Sequence, residues 1–197
     1  MTAPLGDGRE EILARVRSAL AGAAVAEHST AVPDQVAGSV DLFAERVADY
    51  RAVVERCLTG DLGDRVAAAI AGQSVVVPAG LGVGVPGAIV DQSLTAAELD
   101  EIDAVVTECT VAIAETGTFV LDHGRGQGRR IITLVPDRHV CIVRADQVVA
   151  DVPHAVAALD PLRPQTWVSG PSATSDIELD RVEGVHGPRD LHVIIVG

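Results

Sequence analysis

From residue 74 to its end, the chain consists of short apolar runs separated by turn residues. The run 74–78, Ser-Val-Val-Val-Pro, is rich in β-branched residues, which is typical of a strand buried on both faces. Comparable runs predict further strands over 104–107, 111–114, 118–121, 131–135, 140–143, 164–168 and 191–196. This part of the chain therefore has enough buried strands for a central sheet.

Apolar residues at helical spacing predict helices before and between these strands. The N-terminal part is predicted to contain an amphipathic helix over 9–21, a polar linker over 22–38 and a second helix over 41–58. Further helices are predicted over 61–72, 95–102 and 151–159. Because helices and strands mix along the chain, the pattern predicts the α/β class with a mixed or mainly parallel sheet. It divides the chain into an N-terminal helical arm, 1–60, and an α/β domain, 61–197.

Composition narrows the classes of function. The chain is 48% hydrophobic with a formal net charge of -13, which argues against a nucleic-acid or anionic-membrane partner. Its three cysteines, Cys57, Cys109 and Cys141, are far apart, so they predict neither a disulfide framework nor a metal or cluster site in this chain. No apolar run reaches the ~18–20 residues of a membrane span, and the N-terminus does not resemble a signal peptide. We therefore expect a cytoplasmic protein.

The stretch richest in hydroxyl and acidic side chains lies between the last two predicted strands. Residues 172–178 read Ser-Ala-Thr-Ser-Asp-Ile-Glu. One interpretation is a helix start, with Ser175 and Glu178 as a capping box. The other is an anion cradle, in which Ser172, Thr174 and Ser175 provide hydroxyls beside backbone N–H groups, with Asp176 in the same loop. Both can hold together.

A second polar loop, 184–189, follows within a few residues. His186 lies between glycines and is a candidate general acid or base, although a loop histidine bonded to a backbone carbonyl is slightly favoured as the explanation. Arg189 could pair with Asp176 or Glu178, or it could hold a carboxylate. Because so few residues separate the two loops, we expect them to enclose one small cleft.

An acid and two hydroxyls occupy the predicted turn 114–118, Ala-Glu-Thr-Gly-Thr. Glu115 is a candidate nucleophile or base, and Thr116 and Gly117 are candidate ligand-binding residues beside it. The alternative is that Thr116 and Gly117 only shape the turn. If the turn is functional, it should form the far wall of the C-terminal cleft.

Three further patterns have both a functional and a structural interpretation. Arginines 125, 129 and 130 lie in a Gly-rich loop, and Arg130 is a candidate for binding a small anion. The spacing G-x-G-x-x-G at 82–87 follows a predicted strand, but the residues after it are strand-like and do not open a long helix, so a plain loop is favoured over a dinucleotide site. Asp137 lies in a turn where it could orient His139 or form an Asx turn.

Taken together, several of these short sequence motifs resemble those of the LUD-domain family. The matching motifs lie at 114–118, 130–139, 143–149, 169–178 and 182–188, in that order. The resemblance implies a three-layer α/β/α fold like that of the NagB/RpiA/CoA-transferase group, with 61–197 as the LUD-type domain. It also implies a role in oxidising L-lactate to pyruvate beside partner proteins that carry iron–sulfur clusters, as a subunit and without a cofactor of its own.

The same resemblance leaves a second function open. Relatives in the wider fold group bind sugar phosphates, CoA thioesters or folates. The alternative is therefore a stand-alone enzyme of the CoA-transferase or sugar-phosphate type that uses Glu115 as its nucleophile or base. A purely structural adaptor is the third hypothesis.

Overall fold

The structure is a computed structural model, and it describes residues 7–22, 36–174, 182–183 and 187–197. The chain divides into two compact units, residues 1–31 and 32–197. The first contains helix α1 (Asp7–Leu20), whose apolar residues Ile12, Val16 and Leu20 are exposed. In the described residues, no helix combines the length and apolar character needed to cross a membrane.

The second unit begins with helix α2 (Val40–Asp49) and strand β1 (Val53–Cys57). The prediction of a single helix over 41–58 is therefore wrong in its second half. Arg51 adopts a positive φ of 67°, which ends the helical path and turns the chain into β1. Since α2 and β1 belong to this unit, the boundary predicted between residues 60 and 61 falls inside it.

The remaining elements follow in order. They are α3 (Leu62–Ala69), β2 (Val75–Val77), β3 (Ile89–Val90), α4 (Ala96–Asp100), β4 (Ala104–Glu108), β5 (Val111–Ile113), β6 (Thr118–Leu121), β7 (Arg138–Arg144), β8 (Val148–Val149), α5 (Val152–Ala158), β9 (Thr166–Val168), β10 (Ala173–Thr174), β11 (Val182–Glu183) and β12 (Asp190–Val196). The predicted capping box of Thr95 and Glu98 is present at α4. The strand predicted over 131–135 is wrong, because Arg130–Thr133 form a 3-10 helix that buries Ile132.

A six-stranded parallel sheet forms the centre, in the order β1-β12-β7-β4-β2-β3. Helix α3 packs on one face through Val66 and Ala69. The other face is covered by α2 and by a four-stranded sheet, β8-β5-β6-β9, which contributes Phe119 and Leu121 to the core. Both central strands β7 and β12 are apolar on both faces, as a doubly covered sheet requires. The α/β prediction with a mainly parallel sheet is confirmed.

Helix α5 packs on the outer face of the four-stranded sheet, against Val111, Ile113 and Val120. Asp151 caps this helix by accepting from the backbone N–H of His154, and Pro153 lies in its first turn, as predicted. The four-stranded sheet places β9 above the amino ends of β7 and β12. This arrangement creates the cavity described next.

Candidate functional site

A cavity of about 260 Å³ lies at the amino ends of β7 and β12, and we call it the amino-edge cavity. Its floor contains His139 and Leu191, the second residues of those two strands. Its walls come from β9 and the loop after it, from the 3-10 helix Arg130–Thr133 and from the approach to β12. The described lining residues are Arg130, Thr133, His139, residues 166–172, Gly187, Pro188 and Leu191.

Arg130 supplies the positive charge of this cavity. Its neighbour Arg129 donates from Nε and Nη2 to the carboxylate of Asp91, at 2.7 and 2.6 Å, which anchors the start of the 3-10 helix. Arg130 itself donates from Nη1 to the hydroxyl of Thr133 at 3.0 Å. Partial burial lowers the pKa of Arg130, but a guanidinium remains charged. In the described part of the chain, no carboxylate pairs with Arg130, so its charge is available to the cavity.

His139 is buried and electrically neutral. Its ring Nε2 lies 2.8 Å from the Thr107 hydroxyl, and its edge packs on Phe119, with ring centroids 5.7 Å apart. Burial, followed by the nearby charge of Arg130, lowers the pKa of His139 to about 3. At neutral pH, His139 can therefore form a hydrogen bond to a ligand in its neutral form. It is too weak a base to remove a proton efficiently.

The described parts of the two C-terminal loops do meet at this cavity. The backbone N–H of Ser172 donates to the carbonyl of Pro188 at 2.9 Å, and Ser172, Gly187 and Pro188 all line the cavity. Beyond Ser172, Ala173–Thr174 pair with Val182–Glu183 as an antiparallel ladder. A pair of short strands therefore follows the cavity wall. The helix start predicted at Ser175 lies outside the described residues and stays a prediction.

Several predicted site residues cannot be placed. Ser175, Asp176, Glu178 and His186 lie outside the described residues, and of Thr174 only the strand backbone is described. Arg189 is exposed and its carboxylate partner is Asp137. Asp137 therefore holds the entry to β12, and the described partner of His139 is Thr107 instead.

The predicted turn 114–118 is a hairpin between β5 and β6. Glu115 is exposed and is absent from the cavity lining, so the turn is not the far wall of the cavity through that side chain. Gly117 has a φ of 60°, and a Cβ there would lie 2.6 Å from the backbone carbon of Arg46, so the turn packs directly on α2. Thr116 donates to the hydroxyl of Thr118 at 2.8 Å, and Thr118 lies 2.7 Å from the hydroxyl of Ser169. Among the described residues, this series of hydroxyl hydrogen bonds connects the turn to the cavity.

A second concavity lies at the opposite ends of the strands, and we call it the carboxyl-edge cleft. It measures about 520 Å³, and the charged side chains that line it are Glu108, Arg144 and Asp146, beside the apolar residues Leu62, Ile142 and Val196. The G-x-G-x-x-G loop borders it, since the Gly82 N–H donates to the Glu108 carboxylate at 3.2 Å. Strand β3 rather than a helix follows Gly87, which removes the helix N-terminus that a dinucleotide site needs.

The sequence did not single out Ser169 or Thr133, and it considered His139 only as a partner of Asp137. All three become site residues because segments distant in sequence converge on the amino edge. Across the described residues, no group of three or more His, Cys, Asp or Glu side chains could hold a metal ion. The arrangement is therefore one cation, a neutral imidazole and several hydroxyls around a small cavity, which suits a small anion.

Comparisons with known proteins identify the family of this chain. The chain is 44% identical over 204 residues to lactate utilization protein C of Deinococcus radiodurans, covering 97% of this chain and 96% of that protein. It is 35% identical over 106 residues to lactate utilization protein C of Halalkalibacterium halodurans, covering 49% of this chain and 45% of that protein.

A crystal structure of a DUF162 family protein from Deinococcus radiodurans superposes with a TM-score of 0.68 at 39% identity. The match covers 80% of this chain and 96% of that one. The family model described as LUD domain matches residues 88–196, which include β4, β7, β12 and the described lining of the amino-edge cavity. This chain belongs to the LUD-domain family.

Proposed function

We propose that this chain is a component of an iron–sulfur protein system that oxidises L-lactate to pyruvate, and that it binds a small anionic ligand in the amino-edge cavity. The relatives named above are lactate utilization proteins, which supports the pathway. The observation that supports an anionic ligand is the charge of Arg130, because no carboxylate among the described residues neutralises it. Charge-assisted bonds from a guanidinium to a carboxylate are among the strongest polar contacts available to a site.

The proposed iron–sulfur clusters belong to partner proteins rather than to this chain. A cluster normally takes four cysteine thiolates, and the chain has three cysteines. Of these, Cys109 and Cys141 are buried in the core. The residues present here do not fit a cluster, so the redox chemistry is assigned to the partners, and this chain supplies binding.

The chemistry of the cavity fits a binding subunit. Oxidation of a 2-hydroxy acid removes a proton from its hydroxyl group, which calls for a base with a pKa near the working pH. His139, with a pKa of about 3, does not meet that requirement. Arg130 and the hydroxyls can orient an anion, and His139 can hydrogen bond to it in its neutral form.

A stand-alone enzyme of the CoA-transferase or sugar-phosphate type is not favoured. Such an enzyme would need Glu115 beside the bound substrate as nucleophile or base. Glu115 is exposed on the β5–β6 hairpin and does not line the cavity.

Two experiments in cells that carry the gene test the proposal. Deletion of the gene should abolish or strongly slow growth on L-lactate while leaving growth on glucose unchanged, and unchanged growth on L-lactate would refute the role in lactate oxidation. A tagged chain purified from lactate-grown cells should retain iron–sulfur proteins, identified by mass and by their visible absorption.

The deletion strain also separates ligand binding from mere assembly. An Arg130→Ala chain should fail to restore growth on L-lactate, whereas an Arg144→Ala chain should restore it. If the Arg130→Ala chain restores growth fully and still retains the partners, the proposal that a ligand binds in the cavity is wrong. A structural adaptor is then the better description.

A further inference from the structure

We propose that Thr116 and Thr118 are positioning residues that turn the hydroxyl proton of Ser169 into the amino-edge cavity. Ser169 then provides a second donor, beside Arg130, for the carboxylate of a small monocarboxylate ligand. This inference rests on the proposed function, because it concerns the same cavity.

The three hydroxyls form a continuous chain from the hairpin to the cavity wall. Thr116 Oγ1 donates to Thr118 Oγ1 at 2.8 Å, and Thr118 Oγ1 lies 2.7 Å from Ser169 Oγ. The sheet register brings them together, since Phe119 pairs with Val168 and the next antiparallel step places Thr118 beside Ser169. Thr118 is 4% exposed, whereas Ser169 is exposed and lines the cavity.

The number of available protons sets the direction of the hydrogen bonds between these three hydroxyls. Each hydroxyl has one proton to donate. Thr116 donates its proton to Thr118, and the Thr118 proton then needs an acceptor of its own. Among the described residues, Ser169 Oγ is the remaining hydroxyl bonded to Thr118. If Ser169 donated to Thr118 instead, the buried Thr118 proton would be left without an acceptor, which is costly.

The consequence is that the Ser169 proton is left for the cavity. An exposed serine hydroxyl normally rotates freely, so it can donate its one proton or accept through its lone pairs. Here the oxygen already accepts from Thr118, so the Ser169 hydroxyl is polarised as a donor. A donor aimed at the cavity favours an anion over a cation or a neutral donor group.

The charge of the cavity selects the class of anion. Among the described lining residues, Arg130 is the one with a full charge, because His139 is neutral at physiological pH. One guanidinium and one or two hydroxyl donors match a single carboxylate group. A dicarboxylate or a phosphate dianion would bring a second negative charge that no described lining residue offsets.

Isosteric substitutions of Thr118 in the full chain test the inference. Thr118→Val keeps the shape and removes the hydroxyl, whereas Thr118→Ser keeps the hydroxyl. Calorimetric titration with pyruvate and with L-lactate should show binding weakened about three- to tenfold in Thr118→Val, the range expected for one lost hydrogen bond, and nearly unchanged in Thr118→Ser. Malonate and phosphate should bind more weakly than pyruvate to the unaltered chain.

A double-mutant cycle distinguishes positioning from a stabilising role. Ser169→Ala should weaken pyruvate binding at least as much as Thr118→Val, and the double variant should be no worse than Ser169→Ala alone, because Thr118 acts only through the Ser169 donor. A purely structural hydroxyl chain would change the unfolding midpoint without changing binding, so equal pyruvate affinity in Thr118→Val and the unaltered chain would overturn the proposal.

The proposed function and this inference can fail separately. If Arg130→Ala binds pyruvate as well as the unaltered chain does, the ligand site itself is wrong. If Arg130→Ala loses binding and Thr118→Val does not, only the hydroxyl chain is wrong. Should Thr118→Val fail to fold, the pair Thr116→Val and Thr116→Ser carries the same test one step further from the cavity.

Discussion

The amino-edge cavity and the carboxyl-edge cleft lie at opposite ends of the same strands, and their charges are arranged differently. Strand β7 contributes His139, its second residue, to the cavity, and Arg144, its last, to the cleft. In the cleft, Arg144 Nε donates to Asp146 at 3.1 Å and Glu108 accepts the Gly82 N–H. In the cavity, Arg130 has no carboxylate partner among the described residues. The cleft is larger, but the cavity is better suited to an anion.

This difference shows the limit of a topological rule. In open parallel sheets, ligands usually bind beyond the carboxyl ends of the strands. Here the inserted four-stranded sheet brings β9 and its polar loop over the amino ends instead. Glycine loops approach the carboxyl ends so closely that a Cβ at Gly82 or at Gly126 would overlap the Glu108 carboxylate. Local charge balance, rather than sheet topology alone, therefore favours the amino edge.

The largest expected effect concerns the loops that support each edge. Gly117→Ala should destabilise the protein by roughly 2–4 kcal/mol, because it strains a left-handed backbone position and places a Cβ against the backbone of α2. Gly84→Ala, in the loop after β2, is the matched control, since a Cβ there meets nothing within 4 Å. Urea denaturation of both variants measures the contrast. Equal stability of the two variants would show that the hairpin does not pack on α2 as described.

The next effect tests the charge contrast directly. Arg130→Ala should weaken pyruvate binding roughly 10- to 100-fold, because a hydrogen bond to a charged group contributes about 1.5–3 kcal/mol. Arg144→Ala, which removes an arginine already paired with Asp146, should leave binding unchanged. Calorimetry at low and moderate salt measures both. Weaker binding in Arg144→Ala than in Arg130→Ala would move the anion site to the carboxyl edge.

A pH profile tests the burial of His139. Because the folded pKa is about 3 and the unfolded value is 6.5, the unfolded chain binds an extra proton between these values. Stability should therefore be complete above pH 6.5 and fall as the pH drops toward 3, by about 2 kcal/mol at pH 5 from this group. His139→Gln should flatten that part of the curve. An equally steep fall in His139→Gln would mean that other groups, such as the buried His192, dominate.

The smallest effect concerns Glu108 in the cleft. Gly126→Ala should cost about 1 kcal/mol, because Gly126 has a φ of 76° and a Cβ would overlap the Glu108 carboxylate. The cost should be smaller when Glu108→Ala is combined with it, since the obstructing side chain is then removed. Urea denaturation of the two single variants and the double variant measures this, and pyruvate affinity should be unchanged in Glu108→Ala.

Local patterns predicted most elements of the fold. The run 74–78 became β2, the run 191–196 became β12, and Thr95 and Glu98 formed the expected capping box. Two predictions failed where apolar spacing was ambiguous. Residues 53–57 continue the helical spacing of α2 but also fit a strand, and the run 131–135 is apolar but short enough for one 3-10 turn. Short apolar runs do not distinguish helix from strand without their neighbours.

The candidate site was less predictable than the fold. The sequence drew attention to Arg130, to Ser172 and to the polar loop before β12, and described residues from each of these line the amino-edge cavity. Their role in binding stays a prediction. The sequence favoured Glu115 for its residue type, yet exposure on the hairpin removes the burial that would activate a carboxylate. It passed over Ser169, whose importance depends on a hydroxyl partner 51 residues away in sequence.

The sequence by itself determined where most strands and helices form, because capping, β-branching and turn residues act over a few neighbouring positions. Only the tertiary structure decided which groups share a site. Thr107 reaches His139 across β4 and β7, and Ser169 reaches Thr118 across β6 and β9. Burial by distant segments, not local sequence, lowers the pKa of His139, and the convergence of separate loops leaves Arg130 as the charge that faces the cavity. Hydrogen-bond partners and desolvation are properties of the packed chain, so they exist only once the sheets have come together.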